Sequence, residues 1–427
     1  MYSVLVIGSG GREHVFAWSL YNDEQIDKIF CMPGNGGTES IATNIEIDSM
    51  SPSAVLDFVK HNNIDLTIVG PEAPLSIGIV DHFVENGHLI FGPTKYAAQL
   101  ETSKSFARDL MEDCKIPQPA YFTCSNIDGV ISVKSQIGFP LVLKADGLAS
   151  GKGVIICRDQ IEFEDALDLI FDDNKFGSAS DKVLVEEFLY GEELSVFAVC
   201  DGLNYKIIGT AQDHKRVSDG DKGPNTGGMG AYSPTKIESK ELILDIEEKI
   251  IVPILNEMDQ RNHPYTGFLY VGLMIVNNKP YVIEFNARMG DPETQVVIPK
   301  IESSFFSMIW DSVNGNLNHH NIDINKESVV TVVLASEGYP DEYKIGKKIT
   351  GLEELNDEFV FHAGTRKDGN DFYTIGGRVI NVLGKGDCIE EAIDRAYTNL
   401  EKIDFDGKYY RKDIGFRAIE KKEANEN

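Results

Sequence analysis

VIEFNARMGDPET, residues 282–294, is the stretch whose reading decides most about this chain. In a strand, side chains at i and i+2 share one face, about 6–7 Å apart along the chain. Glu284 and Asn286 stand in that relation, among the apolar residues Tyr281, Val282, Ile283 and Phe285. Two oxygen ligands on one strand face suit a Mg²⁺ that draws its other ligands from water and phosphate. An ordinary exposed strand face carries the same pattern, so its force comes from its surroundings. Directly after it, Arg288, Asp291, Glu293 and Thr294 crowd one polar loop, where a reacting carboxylate could be clamped.

Upstream, Leu141–Ala145 and Val154–Cys157 read as apolar strands joined by Asp146-Gly147-Leu148-Ala149-Ser150-Gly151-Lys152-Gly153. A Gly-rich loop bearing a lysine between two strands suits a flap whose N–H groups fold over a polyphosphate. It is not a P-loop: G-x-x-x-x-G-K-[ST] is absent, and a strand rather than a helix follows. Lys144, on the first strand, is placed to reach an α- or β-phosphate. The short strand Val183–Val185 ends in Glu186-Glu187-Phe188-Leu189, with Glu193 beyond. That reads as a nucleoside slot, with a carboxylate or backbone pair for adenine and a second acid for the ribose hydroxyls.

The first hundred residues alternate strand and helix: strands at Ser3–Ile7, Ile29–Met32, Asp65–Val69 and Leu89–Phe91, helices at Arg12–Tyr21, Pro52–His61 and near Ile77–Asn86. Such spacing implies βαβ units and a parallel sheet, with ligands beyond the strands' carboxyl ends. Gly8–Glu13, Pro33–Gly37 and Gly70–Glu72 converge there. Gly8-Ser9-Gly10-Gly11 is not a dinucleotide fingerprint, because Glu13 replaces the last glycine of G-x-G-x-x-G. A helix N-terminus beside Arg12 still suits an anion. The middle of the chain reads as α+β, with hairpins turning at Asp201-Gly202 and Asn277-Asn278 and a long loop over Asp213–Tyr232. A charged tail after Ile419 is expected to fray.

A chain of 427 residues with 42% hydrophobic content is long enough for about three packed domains. Its net charge of −28 disfavours nucleic acid and anionic membranes as partners. An anionic substrate would need a local pocket of Arg, Lys and N–H groups. Six scattered cysteines with no C-x-x-C pair, no leader-like start and no run of the ~20 apolar residues that spans a membrane point to a soluble, cytoplasmic protein.

Lysine, Gly-rich flap, glutamate hinge, a further Glu and E-x-N, in that order, resemble the ATP-grasp superfamily. The chain is more closely similar to its phosphoribosylamine–glycine ligase (glycinamide ribonucleotide synthetase) branch. VIGSGGREH (6–14), PGNGGT (33–38), DLTIVGPEAPL (65–75), GPTKYAAQLETSK (92–104), LKADGLASGKGV (143–154), QDHKRVSDGDKGPNTGGMGAYSP (212–234), VIEFNARMGDPETQ (282–295), FHAGT (361–365), GGRV (376–379) and YRKDIGFRAI (410–419) carry the resemblance.

The resemblance implies an α/β and α+β multidomain fold. Its parts are an N-terminal parallel α/β (pre-ATP-grasp) domain over 1–103, an ATP-grasp domain over 104–326 with a flap-bearing lid near 121–189, and a small C-terminal α+β domain over 327–427. It implies ATP-dependent, ADP-forming ligation of glycine to 5-phosphoribosylamine through a glycyl phosphate, in purine synthesis, with Mg²⁺ or Mn²⁺. By position, Lys104, Lys144, Gly151 and Lys152 would meet phosphates; Glu186, Glu187 and Leu189 the adenine; Glu193 the ribose; Glu284 and Asn286 the metal. Arg288, with Lys144, would be catalytic. Gly10, Arg12, Glu13, Gly34, Asn35, Glu72, Asp213, Lys215, Asn225, Gly228, Met229, Arg288, Asp291 and Thr294 would serve the two substrates. Many ATP-grasp enzymes carry another metal-binding Glu on the preceding strand; here Tyr270-Val271-Gly272-Leu273-Met274 has no acid. The expected partners are small molecules alone, on a monomeric chain.

Overall fold

The computed structural model describes residues 1–147, 153–172 and 182–419. Gly151 and Lys152, the expected flap residues, and the charged tail lie outside them.

The apolar run Val4–Ile7 is fully buried in the strand Tyr2–Gly8, at the centre of a parallel sheet. Across that sheet the order is Thr43–Asn44, Ile26–Pro33, Tyr2–Gly8, Leu66–Val69, Ile90–Phe91. A strand buried on both faces must be apolar at successive positions, and Val-Leu-Val-Ile meets that demand. Register aligns Gly8 with Pro33 and Ile7 with Val69, so the three polar loops leave the sheet side by side. The Gly34 N–H donates to the Gly8 carbonyl at 3.1 Å, and the Gly70 N–H to that of Ile7 at 2.9 Å.

Two further sheets frame the centre. An antiparallel one runs Tyr121–Cys124, Val183–Glu187, Leu141–Ala145, Val154–Cys157. It packs Leu141, Leu143, Val183 and Val185 against Val130 and Phe163 of the helices Ile127–Ile137 and Gln160–Leu167. The larger sheet runs Lys279–Asn286, Tyr265–Val276, Glu192–Gly202, Tyr205–Asp213, Gly230–Ser233, Ser328–Ser336, Arg378–Gly386, Val360–His362. Its strands come from both sides of position 327, so the expected ATP-grasp and C-terminal pieces share one hydrogen-bonded layer.

Two local expectations are corrected. Asp213–Tyr232 is not one loop: Arg216–Ser218 pairs with Lys222–Asn225, and Gly230–Ser233 is a buried strand. Ser233 aligns with Val329 and Asp213 with Ala231, so this strand joins the two halves of the sheet. The earlier hairpin turns one step later than Asp201-Gly202. The Asp201 carboxylate accepts the Asn204 N–H at 2.8 Å, which moves the bend onto residues 202–203. Asn277 and Asn278 do form a two-residue turn, with φ of 50° and 62°. No helix among the described residues is long and apolar enough to cross a membrane.

Candidate active site

A cavity of about 1060 Å³ opens where the carboxyl edge of the parallel sheet meets the two other sheets. Of the residues singled out from sequence, Arg12, Glu72, Lys104, Lys144, Glu186, Glu187, Leu189, Glu193, Asp213, Lys215, Asn225, Glu284, Asn286, Arg288 and Asp291 line it. Positions up to 279 residues apart in sequence are thus brought to one space.

Lys144 projects from its strand onto Glu186 of the neighbouring one, Nζ to Oε2 at 2.8 Å, and donates to the Ile283 carbonyl at 2.8 Å. Glu186 is 2% exposed. Its two oxygens also receive Arg108 Nε at 2.7 Å and Nη2 at 2.9 Å. Burial disfavours its charge, but Lys144 and Arg108 more than offset this and hold the carboxyl below its ordinary range. Its side chain is therefore turned to the two cations, while Glu187 beside it is exposed. Lys104 donates to the Gly147 carbonyl at 2.7 Å. Asp146 accepts the Ser105 N–H at 3.2 Å, which ties the root of the Gly-rich segment to the helix Lys104–Asp113. Burial lowers both lysines below their ordinary value, against the pull of nearby acids.

Glu284 pairs in register with Gly272. A Cβ on Gly272 would come within 2.9 Å of the Glu284 Cγ, so the absence of a side chain there leaves the carboxylate its room. Among the described residues no group of three or more His, Cys, Asp or Glu forms a metal cage. Glu284 and Asn286 offer oxygen donors alone, and the Glu284 side chain is 37% exposed. Such a half-open pair fits a hard cation that keeps water and phosphate oxygens, Mg²⁺ or Mn²⁺ alike.

Arg288 is clamped: Nη2 lies 2.6 Å from Glu101, Nε 3.3 Å from Glu72, and Nη1 donates to the Met289 carbonyl at 3.2 Å. Glu101 also accepts the Ala287 N–H at 2.7 Å. Burial pushes Glu101 up to about 7 against the pull of Arg288. Glu72 is held below its ordinary range, since Arg288 and Arg12 outweigh the cost of its burial. On the opposite side Lys215 Nζ stands 3.1 Å from Glu193, 3.9 Å from Asp213 and 4.0 Å from Glu284. One cation thus faces the expected ribose acid and the expected metal ligand together.

Other expected contacts lie behind the wall. Glu13 is buried between Gly8 and Gly70, caps its helix by accepting the Gly10 N–H at 2.6 Å, and pairs with Arg12. Asn35 spends its amide on the Ser9 and His362 carbonyls, each at 2.9 Å, and its oxygen on the N–H groups of Gly37 and Thr38. Gly10 and Gly34 shape the same two loops. Gly228 has φ +115°, and a Cβ there would collide with the Pro292 Cδ. Met229 is buried in the C-terminal core, and Thr294 bonds the Gly290 carbonyl. These side chains hold the loops that present Arg12, Glu72 and Asp291. Asp291 in turn accepts the Arg12 N–H at 3.3 Å and Gln295 Nε2 at 2.9 Å.

Sequence reasoning passed over Glu101, Arg108, Tyr339, Arg378 and Arg417, which all line the cavity. Arg108 carried a signal, since it lies one turn after Lys104 on the same helix face. Arg378 donates to the carbonyls of Gly227 at 2.6 Å and Asp291 at 2.5 Å, joining the two expected substrate loops from a distant strand. The GGRV stretch that holds it carries the family resemblance but does not by itself single out the arginine.

Family models match along the chain: phosphoribosylglycinamide synthetase N domain over residues 2–101, its ATP-grasp (A) domain over 102–294 and its C domain over 329–417. The phosphoribosylamine–glycine ligase of Chlorobaculum tepidum is 44% identical over 423 residues, covering 97% of this chain and all of that one. That of Vibrio parahaemolyticus is 45% identical over 421 residues, 97% of this chain and 98% of that one. The crystal structure of the Thermotoga maritima phosphoribosylamine–glycine ligase superposes with a TM-score of 0.85 at 34% identity, over 96% of this chain and all of that one. Biotin carboxylase from Campylobacter jejuni, 13% identical with a TM-score of 0.73 over 96% of this chain and 93% of that one, shares the fold alone.

Proposed function

The chain belongs to the phosphoribosylglycinamide synthetase family and performs its ATP-dependent, ADP-forming ligation of glycine to 5-phosphoribosylamine in purine biosynthesis, and we propose the following division of labour among its residues. The observation that carries it is the single cavity that gathers two inward lysines, a clamped arginine and a strand-borne Glu–Asn pair.

A free carboxylate is a poor acylating agent. The glycine carboxylate oxygen attacks the γ-phosphorus of ATP and expels ADP, giving glycyl phosphate. The amine of phosphoribosylamine then attacks its carbonyl carbon and phosphate leaves. Charge neutralisation and positioning are the protein's share of such transfers. Lys104 and Lys144 face the triphosphate. Lys144 is already aimed by Glu186 and Arg108, so little reorganisation is needed when phosphate arrives. Glu187, with the backbone at Leu189, receives the adenine, and Glu193 the ribose. Arg288, fixed by Glu72 and Glu101, faces the charge that develops on the acyl phosphate. Lys215, Asn225 and Asp291 attend the two substrates. A Mg²⁺ or Mn²⁺ held by Glu284 and Asn286 would neutralise phosphate oxygens. We read the working unit as a monomer in the cytosol; all six cysteines are free thiols.

The test is ADP release from ATP and Mg²⁺ with glycine alone, with phosphoribosylamine generated in situ, and with both. Release that requires both supports the assignment. Rapid release with glycine alone would mean acyl phosphate lost to water and would cast doubt on the acceptor. No release, from folded protein that binds ATP, would reduce the chain to a nucleotide-binding regulator.

A further inference from the structure

Residues 409–417, at the far end of the chain from the expected substrate loops, grip the hairpin that carries Lys215. The Tyr409 hydroxyl donates to the Val217 carbonyl at 2.9 Å. Arg411, whose side chain is wholly buried, donates to the Arg216 carbonyl at 3.0 Å and to Asp221 at 2.9 Å. Asp413 accepts the Gly220 N–H at 2.7 Å. Arg417 Nη2 donates to the other oxygen of Asp221 at 2.7 Å, while Nη1 donates to the Asp213 carbonyl at 3.1 Å.

Among the described residues of this segment, Arg417 is the one whose side chain bonds both ends of this arrangement. Asp221 is at the tip of the hairpin between Arg216–Ser218 and Lys222–Asn225, and Asp213 is at its root. The planar guanidinium fork suits two acceptors at once, which an ammonium does not. Between the two anchors lies Lys215, with Nζ 3.1 Å from Glu193 and 3.9 Å from Asp213. A hairpin of two short strands has little stability of its own. Its placement against the cavity must then come from outside. Arg417 also lines the cavity, with 28% of its side chain exposed.

We propose that Arg417 is a positioning residue of the ligation, bridging Asp221 to Asp213 so that Lys215 is held in the cavity wall between Glu193, Asp213 and Glu284. This rests on the ligase reading above. Most of the expected nucleotide contacts do not depend on the bridge, because Lys104, Lys144 and Glu187 ride on other elements, although Glu193 borders Lys215 at 3.1 Å.

The experiment compares full-length wild type, Arg417→Ala, Arg417→Lys and Asp221→Asn. Steady-state KM is read for glycine and phosphoribosylamine, alongside calorimetric binding of a non-hydrolysable ATP analogue with Mg²⁺. In Arg417→Ala, KM for one or both substrates rises about tenfold or more, with kcat and nucleotide Kd changed only about twofold. Arg417→Lys and Asp221→Asn give the same split, more weakly. Wild-type KM values in Arg417→Ala overturn the proposal, as does a loss of activity that tracks loss of nucleotide binding. Should the alanine variant not fold, Arg417→Lys decides: unchanged KM values there overturn it. If wild-type protein shows no ADP release dependent on both substrates, the ligase reading itself fails and takes this role with it.

Discussion

Lys144 and Glu186 face each other at 2.8 Å in the cavity wall, and Arg108 grips the other side of the same carboxylate. Strand register pairs Lys144 with Leu184 and Val142 with Glu186, so lysine and acid meet on a diagonal across adjacent strands. The acid that heads the expected adenine hinge is therefore the group that aims the lysine expected to meet phosphate.

Replacing Glu186 with Gln strips two buried cations of their counter-charge, a loss that costs about 3–5 kcal/mol where a buried pair is broken. Urea unfolding should show a drop of that order. KM for ATP should rise about tenfold while preference for ATP over GTP stays as in wild type. A variant that keeps its stability but loses base preference would put the carboxylate on the adenine instead.

Arg288 reaches Glu101 and Glu72 at once, a geometry that lysine cannot copy. Arg288→Lys should lower kcat by about 10²–10³, the usual effect of losing a group aimed at developing charge, and leave nucleotide affinity within about twofold. Single-turnover ADP release measures the first and calorimetry the second. A near-normal kcat would remove Arg288 from the chemistry.

With 37% of its side chain exposed, Glu284 supports little of the fold. Glu284→Ala should change unfolding free energy by no more than about 0.5 kcal/mol. The Mg²⁺ concentration for half-maximal turnover should rise about tenfold or more, as read by titration at fixed ATP. Wild-type turnover at ordinary Mg²⁺ sinks the metal assignment.

Two sets of buried groups pull stability in opposite directions with pH. Burial pushes Glu101 up to about 7 and Glu293 up to about 8, so their stabilising contribution is complete below 4.5 and lost as pH rises through those values. His362 is lowered by burial to about 4, and His14, whose Nδ1 accepts the His362 N–H at 2.8 Å, is also lowered. Their contribution is complete above 6.5 and fades as pH falls toward 4. Relative to wild type, His362→Gln should therefore be less destabilised at pH ~5 than at pH ~7.5, and Glu101→Gln less so at pH ~8.5 than at pH ~5. Urea unfolding at each pH reads the differences. Differences that do not change with pH would contradict both assignments.

Much of the frame was legible. Val4–Ile7 could only be a doubly covered strand, and Asn277-Asn278 only a tight turn. That Glu284 and Asn286 share one strand face follows from strand alternation. The strand Gly230–Ser233 was not legible, because its four residues gain their ladder bonds from Tyr205–Asp213 and Ser328–Ser336. The family resemblance implied that Glu13 and Asn35 serve the substrates. In the structure both satisfy backbone groups that burial would otherwise leave unpaired, a role that only the packed loops reveal.

By itself the sequence determined the strand and helix frame, the faces on which lysine and acids emerge, and the family to which their order belongs. Alternation and turn chemistry are local properties of the backbone, so they survive without knowledge of the fold. Tertiary structure alone decided which charges meet: Glu186 with Lys144 and Arg108, Arg288 with Glu72 and Glu101, Arg417 with Asp221 and Asp213. A buried charge is stable only beside a partner in space, and chain distance says nothing about which partner that is.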